Sequence, residues 1–437
     1  MRVNKRASHS PRFSAPLPTY YVIAFLCMLL LLSGCGKVSD TASGGITTLK
    51  FWNGFTGPDG KTMEAMVRQF EKENPDIRVN MQIIPWAQYY DKLTLGLAFH
   101  QAPDIFVCHA NRMPEFARYN VFKDLGEFQK GAQALPENDF LPLPWLVAHF
   151  DGKQYGVPLD CHPLGLYYNR KLFKEAGVVD AKGEPKPPAT WPEFLDAAHK
   201  LTKDTDGDGR PDQWGFAFTW QHSNWYLFAF QHGADALSPD LKRSALDTPA
   251  ALEATEQMRR MITMERIAPQ PEGIDAWTGF RQGRVAMAME GIYMLADLEK
   301  TKGLDYGAAP VPAFGPVKAT WAGSHLLCIP AQSSASHSAA AWRLIKYLSD
   351  HSLDWAQGGQ VPVRKSLLES ARFKGMRVQS AFAQQLPYVH YEPFSTRATE
   401  IQPLLDDAIE SAILGLQPPK EALNEANTSI NHVLSRP

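Results

Sequence analysis

The first residues whose types and spacing suggest chemistry form the run Asp204-Thr205-Asp206-Gly207-Asp208-Gly209-Arg210-Pro211-Asp212. Carboxylates stand at loop positions 1, 3, 5 and 9, with Gly209 at the sharp turn. That is the spacing of an oxygen cage for calcium. Gly215 occupies position 12, where a bidentate glutamate would close the cage. Two readings stand level: a structural calcium ion (Ca2+) on Asp204, Asp206, Asp208 and Asp212, or a solvated turn tied by side-chain hydrogen bonds. A second run, Phe218-Thr219-Trp220-Gln221-His222-Ser223-Asn224-Trp225, gathers indoles with amide and imidazole groups. Flat aromatic faces and forked polar groups suit a molecule with C–H faces and a rim of hydroxyls. The chain has 11 tryptophans to draw on.

No His-Glu-x-x-His metal site, Gly-rich phosphate loop or nucleophile motif is found,. The expectation is a binder and not an enzyme, with no catalytic residue and no required cofactor. Two other classes stay open on the sequence. A secreted glycoside hydrolase would need two carboxyls poised across one bond. A surface adhesin would use the acidic loop as a clip.

The elements that must position these groups begin after an export segment. Arg2, Lys5, Arg6 and Arg12 give a basic start, and Tyr20 to Leu32 carry no charge. That run is short for a permanent span and fits the apolar core of a signal peptide. It ends in Leu32-Ser33-Gly34-Cys35, which is similar to the lipobox of bacterial lipoproteins. Residues 1–35 are therefore expected to be a lipoprotein signal with lipid on Cys35, and 36–45 a flexible tether. Each buried acyl methylene contributes roughly 0.8 kcal/mol, so anchoring needs no transmembrane helix. The expected location is the periplasmic or extracellular face of a bacterial membrane, touched only through the anchor.

The remaining cysteines, Cys108, Cys161 and Cys328, are odd in number and form no disulfide framework,. A Cys108–Cys161 bridge and buried free thiols both stay open. With 437 residues, 44 Lys+Arg and 46 Asp+Glu, the chain is long enough for two domains and too balanced in charge for nucleic acid,.

Hydrophobic spacing predicts a strand around Leu49 and Phe51, and a helix through Met63, Met66, Val67 and Phe70 that stops at Asn74-Pro75. It then predicts a strand over 78–84, a helix over 86–99 and a strand over 103–107,. Strands at 164–168, 214–218, 285–289 and 326–329 follow, with a capping box at Thr190-Trp191-Pro192-Glu193,. Alternating strands and helices predict an α/β fold with parallel pairing, and a crevice at the carboxyl ends of the strands.

Several segments in order resemble family 1 extracellular solute-binding proteins of ABC importers. They are Phe51-Trp52-Asn53, residues 70–79, Ala102-Pro103-Asp104-Ile105, Tyr155-Gly156-Val157-Pro158, residues 166–177 and residues 187–194. Ala286-Met287 with Gly291, Ala322-Gly323 and Val361-Pro362-Val363-Arg364 complete the set. The resemblance implies two doubly wound α/β lobes joined by a hinge, in the manner of periplasmic binding proteins (type II). The lobes would be discontinuous, 46–158 with 322–360 and 159–321 with 361–437. Crossings are expected near Val157–His162, Trp321 and Val361. It further implies a monomer that closes on a sugar-like solute and delivers it to the transmembrane subunits of an ABC permease.

The same resemblance places the candidate ligand contacts. Trp52 and Asn53 end the first strand; His109, Asn111 and Arg112 follow the third, with Asn111 where relatives carry an acidic residue. Asp160 and His162 fall at the first crossing. Trp220, His222 and Trp225 are expected before a helix, and Glu290 and Tyr293 in the turn that carries a stacking aromatic. Gly323, Ser324, His325 and Arg364 complete the set. Trp86 is expected in the core. Arg112 and Arg364 keep glycerol-phosphate-like or acidic sugars open as alternatives to a neutral saccharide.

Overall fold

Burial along Thr47–Asn53 shows why it becomes a strand: Leu49, Phe51 and Asn53 are buried on one face, and Trp52 is covered on the other,. The computed structural model describes residues 45–270 and 275–436; the signal segment and Cys35 lie outside the described residues. The helix Pro58–Glu73 opens on a proline, for which a missing N–H costs nothing in the first turn,. It buries Met63, Met66, Val67 and Phe70 and ends at Asn74, whose backbone and side-chain N–H groups both donate to the Phe70 carbonyl.

Two sheets form two lobes. The first runs in the order Ile77–Ile83, Thr47–Asn53, Ile105–His109, His325–Cys328, Val157–Pro158. Its first three strands are parallel; His325–Cys328 pairs antiparallel on both sides. The second runs Val389–His390, Thr320–Gly323, His162–Asn169, Met287–Gly291, Ala217–Phe218, and Tyr306–Ala309 also pairs with His162–Asn169. His162–Asn169 is buried at every position and antiparallel to its neighbours Thr320–Gly323, Met287–Gly291 and Tyr306–Ala309. Alternating strands and helices predict parallel pairing. Both sheets are mixed instead, because strands that return from the other lobe enter in the opposite sense.

The lobes have separate cores, one around Phe51, Phe106, Leu327 and Trp355, the other around Phe194, Trp225, Phe228 and Ile409. A smaller cluster around Tyr167, Trp277, Phe280 and Phe382 packs beside the second sheet. The capping box forms: Thr190 accepts from the Glu193 N–H, and Glu193 reaches back to the Ala189 N–H,.

The chain passes from the first sheet to the second between Pro158 and His162, and back at Ser324. The stretch after Val361 does not turn at once to the second lobe. Val363 joins the first core, and Arg364 is tied there by ion pairs described below. Cys108, Cys161 and Cys328 are free and buried. Among the described residues, no helix is long and apolar enough to cross a membrane.

Candidate ligand-binding site

A cleft of about 650 Å³ opens between the lobes. On the first lobe, the helix Trp86–Ala98 starts just after the second strand and presents Trp86 and Tyr90. Gly54 makes room for Trp86, since a Cβ there would stand 2.2 Å from the indole. The turn after Ile105–His109 brings His109, Asn111 and Arg112 to the same side. The second lobe answers with Trp220, His222, Tyr293, Trp321, Glu392 and Asp406. Gly323, Ser324 and His325 form the floor with His162, where the chain crosses between the sheets.

Polar groups meet across the opening. Asn111 donates to Glu392 at 2.7 Å, and the Trp321 indole N–H donates to the other Glu392 oxygen at 2.9 Å. His222 lies between Glu392, at 3.2 Å, and Asp406. Burial opposes a charge on His222, but these two carboxylates outweigh it and carry its pKa up to about 10,. Glu392 is likewise penalised by burial yet held below the usual carboxylate range by His222. Asp59, under the first-lobe rim, is pushed up by burial. Arg112 lies over the Tyr90 ring at 4.4 Å and its Nε is 3.3 Å from Glu115,.

Beneath the floor Asp160 is fully buried. Burial works against its charge, but His325 and His162 hold the carboxyl well below its ordinary value. Burial lowers the pKa of His162 and lowers that of His109 further. The Tyr90 hydroxyl meets His109 Nδ1 at 2.6 Å.

Ten of the expected contacts thus share one cleft: His109, Asn111, Arg112, His162, Trp220, His222, Tyr293, Gly323, Ser324 and His325. Asp160 and Glu290 stand one layer behind. Glu290 accepts from the Tyr293 hydroxyl at 3.0 Å and is raised to about 7 by burial.

Four expected contacts are elsewhere. Trp225 is not in a loop before the helix but inside Gln221–Gln231, on the face turned to the core, with 0% exposure and its N–H on Thr255. Trp52 packs against Gly96, with Lys92 over its ring, because strand alternation turns it away from the cleft,. Asn53 is fully buried and accepts from the Phe55 N–H. Arg364 is bound to Asp139 at 2.6 Å and Asp350 at 3.1 Å, outside the cleft lining.

Conversely, Trp86 lines the cleft and not the core alone. Tyr90, Trp321, Glu392 and Asp406 carry no local sequence signal; pairing of distant segments brings them in.

In the acidic loop, Asp204, Asp206 and Asp208 are exposed, with carboxylate oxygens within 4.8 Å of one another. Asp204 accepts from the Gly207 and Gly209 N–H groups. Asp212 turns away to accept from the Thr205 N–H and hydroxyl.

A bilobed α/β molecule with a polar, aromatic cleft at the crossings has the architecture of a solute-binding protein. The model of the bacterial extracellular solute-binding protein family matches residues 55–352, and the chain belongs to that family. A putative binding protein of Brucella abortus is 25% identical, over 87% of this chain and 92% of its own. The sn-glycerol-3-phosphate-binding periplasmic protein UgpB of Escherichia coli is 23% identical, over 96% and 98%. Among solved structures, an ABC substrate-binding protein of Listeria monocytogenes in complex with cycloalternan has a TM-score of 0.79 at 23% identity, over 90% of this chain and all of that one. The maltose/maltodextrin-binding domain of Bdellovibrio bacteriovorus, bound to maltotriose, has 0.77 at 22%, over 89% and 100%.

Proposed function

We propose that this protein captures a neutral carbohydrate in the inter-lobe cleft and hands it to the transmembrane subunits of an ABC importer. Cys35 would anchor it to the outer face of a bacterial membrane. One observation carries the reading: Trp86 and Tyr90 on one lobe face Trp220, Tyr293 and Trp321 on the other, with carboxylate and amide groups between them. Rings provide platforms for the C–H faces of a sugar, and Asn111, Glu392 and Asp406 offer the forked acceptors and donors that hydroxyls need. The cycloalternan and maltotriose named for the neighbours are ligands of this class. The reading requires no cofactor and no catalytic step, and it treats the chain as a monomer. Calcium at the acidic loop would be a structural addition outside the cleft lining.

Glycerol phosphate is a second reading, favoured by the name of the Escherichia coli relative. It fares worse on charge. Among the described residues the one arginine in the lining, Arg112, is already beside Glu115, while Glu392 and Asp406 face the opening. Thermal-shift and calorimetric titration with neutral sugars, uronates, polyols and glycerol phosphodiesters decides between them. Ligand-dependent stabilisation by a neutral saccharide without cleavage is expected. Stabilisation by phosphate compounds alone would overturn the carbohydrate assignment.

A further inference from the structure

The buried Asp160 carboxylate is surrounded by N–H donors. Its Oδ1 accepts from the His325 backbone N–H at 3.1 Å and lies 3.2 Å from His162 Nδ1; its Oδ2 accepts from the Trp355 indole at 2.7 Å and lies 2.8 Å from His325 Nδ1. An ionised carboxylate only accepts, so both imidazoles must turn an Nδ1–H toward it. In a neutral ring the remaining nitrogen, Nε2, is then an acceptor. His162 and His325 both line the cleft, and among the described residues neither Nε2 has a hydrogen-bond partner. Gly323 lets His162 settle there: a Cβ on it would stand 2.2 Å from His162 Nε2.

We propose that Asp160 is a positioning residue that turns His162 and His325 into a pair of hydroxyl-proton acceptors, selecting a neutral polyhydroxylated ligand over a phosphate dianion. The proposal rests on the carbohydrate reading and supplies its specificity determinant. Hydroxyls can donate to two imidazole lone pairs; a phosphate dianion has only acceptors to offer and meets the charge of Asp160 behind them. Asp160, His162 and His325 also resemble a metal triad in composition. The Nδ1–oxygen contacts, at 3.2 and 2.8 Å, have the length of hydrogen bonds,, and a metal held there would require both Nδ1 protons to leave. The groups that face the pair are known. His325, Asp160 and Glu392 act on His162, beside the rings of His109, Tyr293 and Trp321. Asp59, Asp160 and His109 surround His325. Protonation of His162 replaces that acceptor by a donor, so affinity for a hydroxyl proton held there falls on acidification,.

Long-range proton–nitrogen NMR spectra of the full mature protein read the tautomers without any ligand. Nδ1–H in both rings is expected; Nε2–H in either overturns the proposal. Calorimetry with maltotriose, maltose, tagatose and sn-glycerol 3-phosphate follows. A saccharide that binds should do so about tenfold more weakly one pH unit below the measured His162 midpoint, and a flat profile counts against the idea. Asp160→Asn, which can donate to Nδ1, should shift the rings toward Nε2–H and weaken saccharide binding by about tenfold; wild-type tautomers with wild-type affinity contradict it. Should that variant not fold, the wild-type spectra and pH profile still decide. Sugar binding with the wrong tautomer overturns this proposal alone, whereas binding of glycerol phosphate and of no sugar overturns the carbohydrate reading as well.

Discussion

Asn111, at the end of the first lobe's third strand, donates to Glu392 of the second lobe at 2.7 Å. A second bridge, from Thr399 to Glu115, spans the same gap. The lobes are thus joined by direct polar contacts that do not pass through a ligand. Hydrogen bonds to a charged group contribute about 1.5–3 kcal/mol, enough to bias a two-state hinge.

Removing that bond should let the lobes part. Asn111→Ala is expected to increase the radius of gyration of the ligand-free protein in small-angle scattering, with little change in melting temperature. An unchanged scattering profile would show that the contact does not hold the lobes together.

The two tryptophans of one short run should behave oppositely. Trp220 is 62% exposed at the mouth of the cleft, and Trp225 is sealed in the second core. Trp225→Ala should cost about 3–5 kcal/mol of stability in chemical denaturation. Trp220→Ala should leave the denaturation midpoint in place and weaken ligand binding. The reverse pattern would mean that the cleft has been misassigned.

Arg364→Ala tests another residue that moved out of the site. It strands Asp139 and Asp350, and breaking a largely buried pair costs about 3 kcal/mol. A lower melting temperature with an unaltered dissociation constant is the expected result.

The pH dependence of His222 has a definite sign. Its folded-state pKa, about 10, lies above the ordinary histidine value, so the charged ring stabilises the fold fully below about pH 6.5. That contribution is lost as pH rises toward 10. The stability difference between wild type and His222→Gln should therefore shrink steadily between pH 6.5 and 10. A difference that stays constant across that window would deny the Glu392–His222–Asp406 arrangement its charge.

What the amino-acid order decided by itself is local. Spacing of Met63, Met66, Val67 and Phe70 marks a helix because 3.6-residue periodicity is a property of the chain alone, and Thr190 with Glu193 caps a helix wherever it lies. The turn after the third strand could be found as well, since a strand end is readable and the crevice forms at strand ends. Trp225 could not be assigned this way. It stands five positions after Trp220, and only the start of the helix at Gln221 decides that one indole meets solvent and the other the core. Glu392 and Asp406 were invisible for a different reason. They enter the site through the meeting of segments hundreds of residues apart, such as Asn111 with Glu392, and that proximity is set by how the two lobes are threaded and packed, which no local pattern encodes.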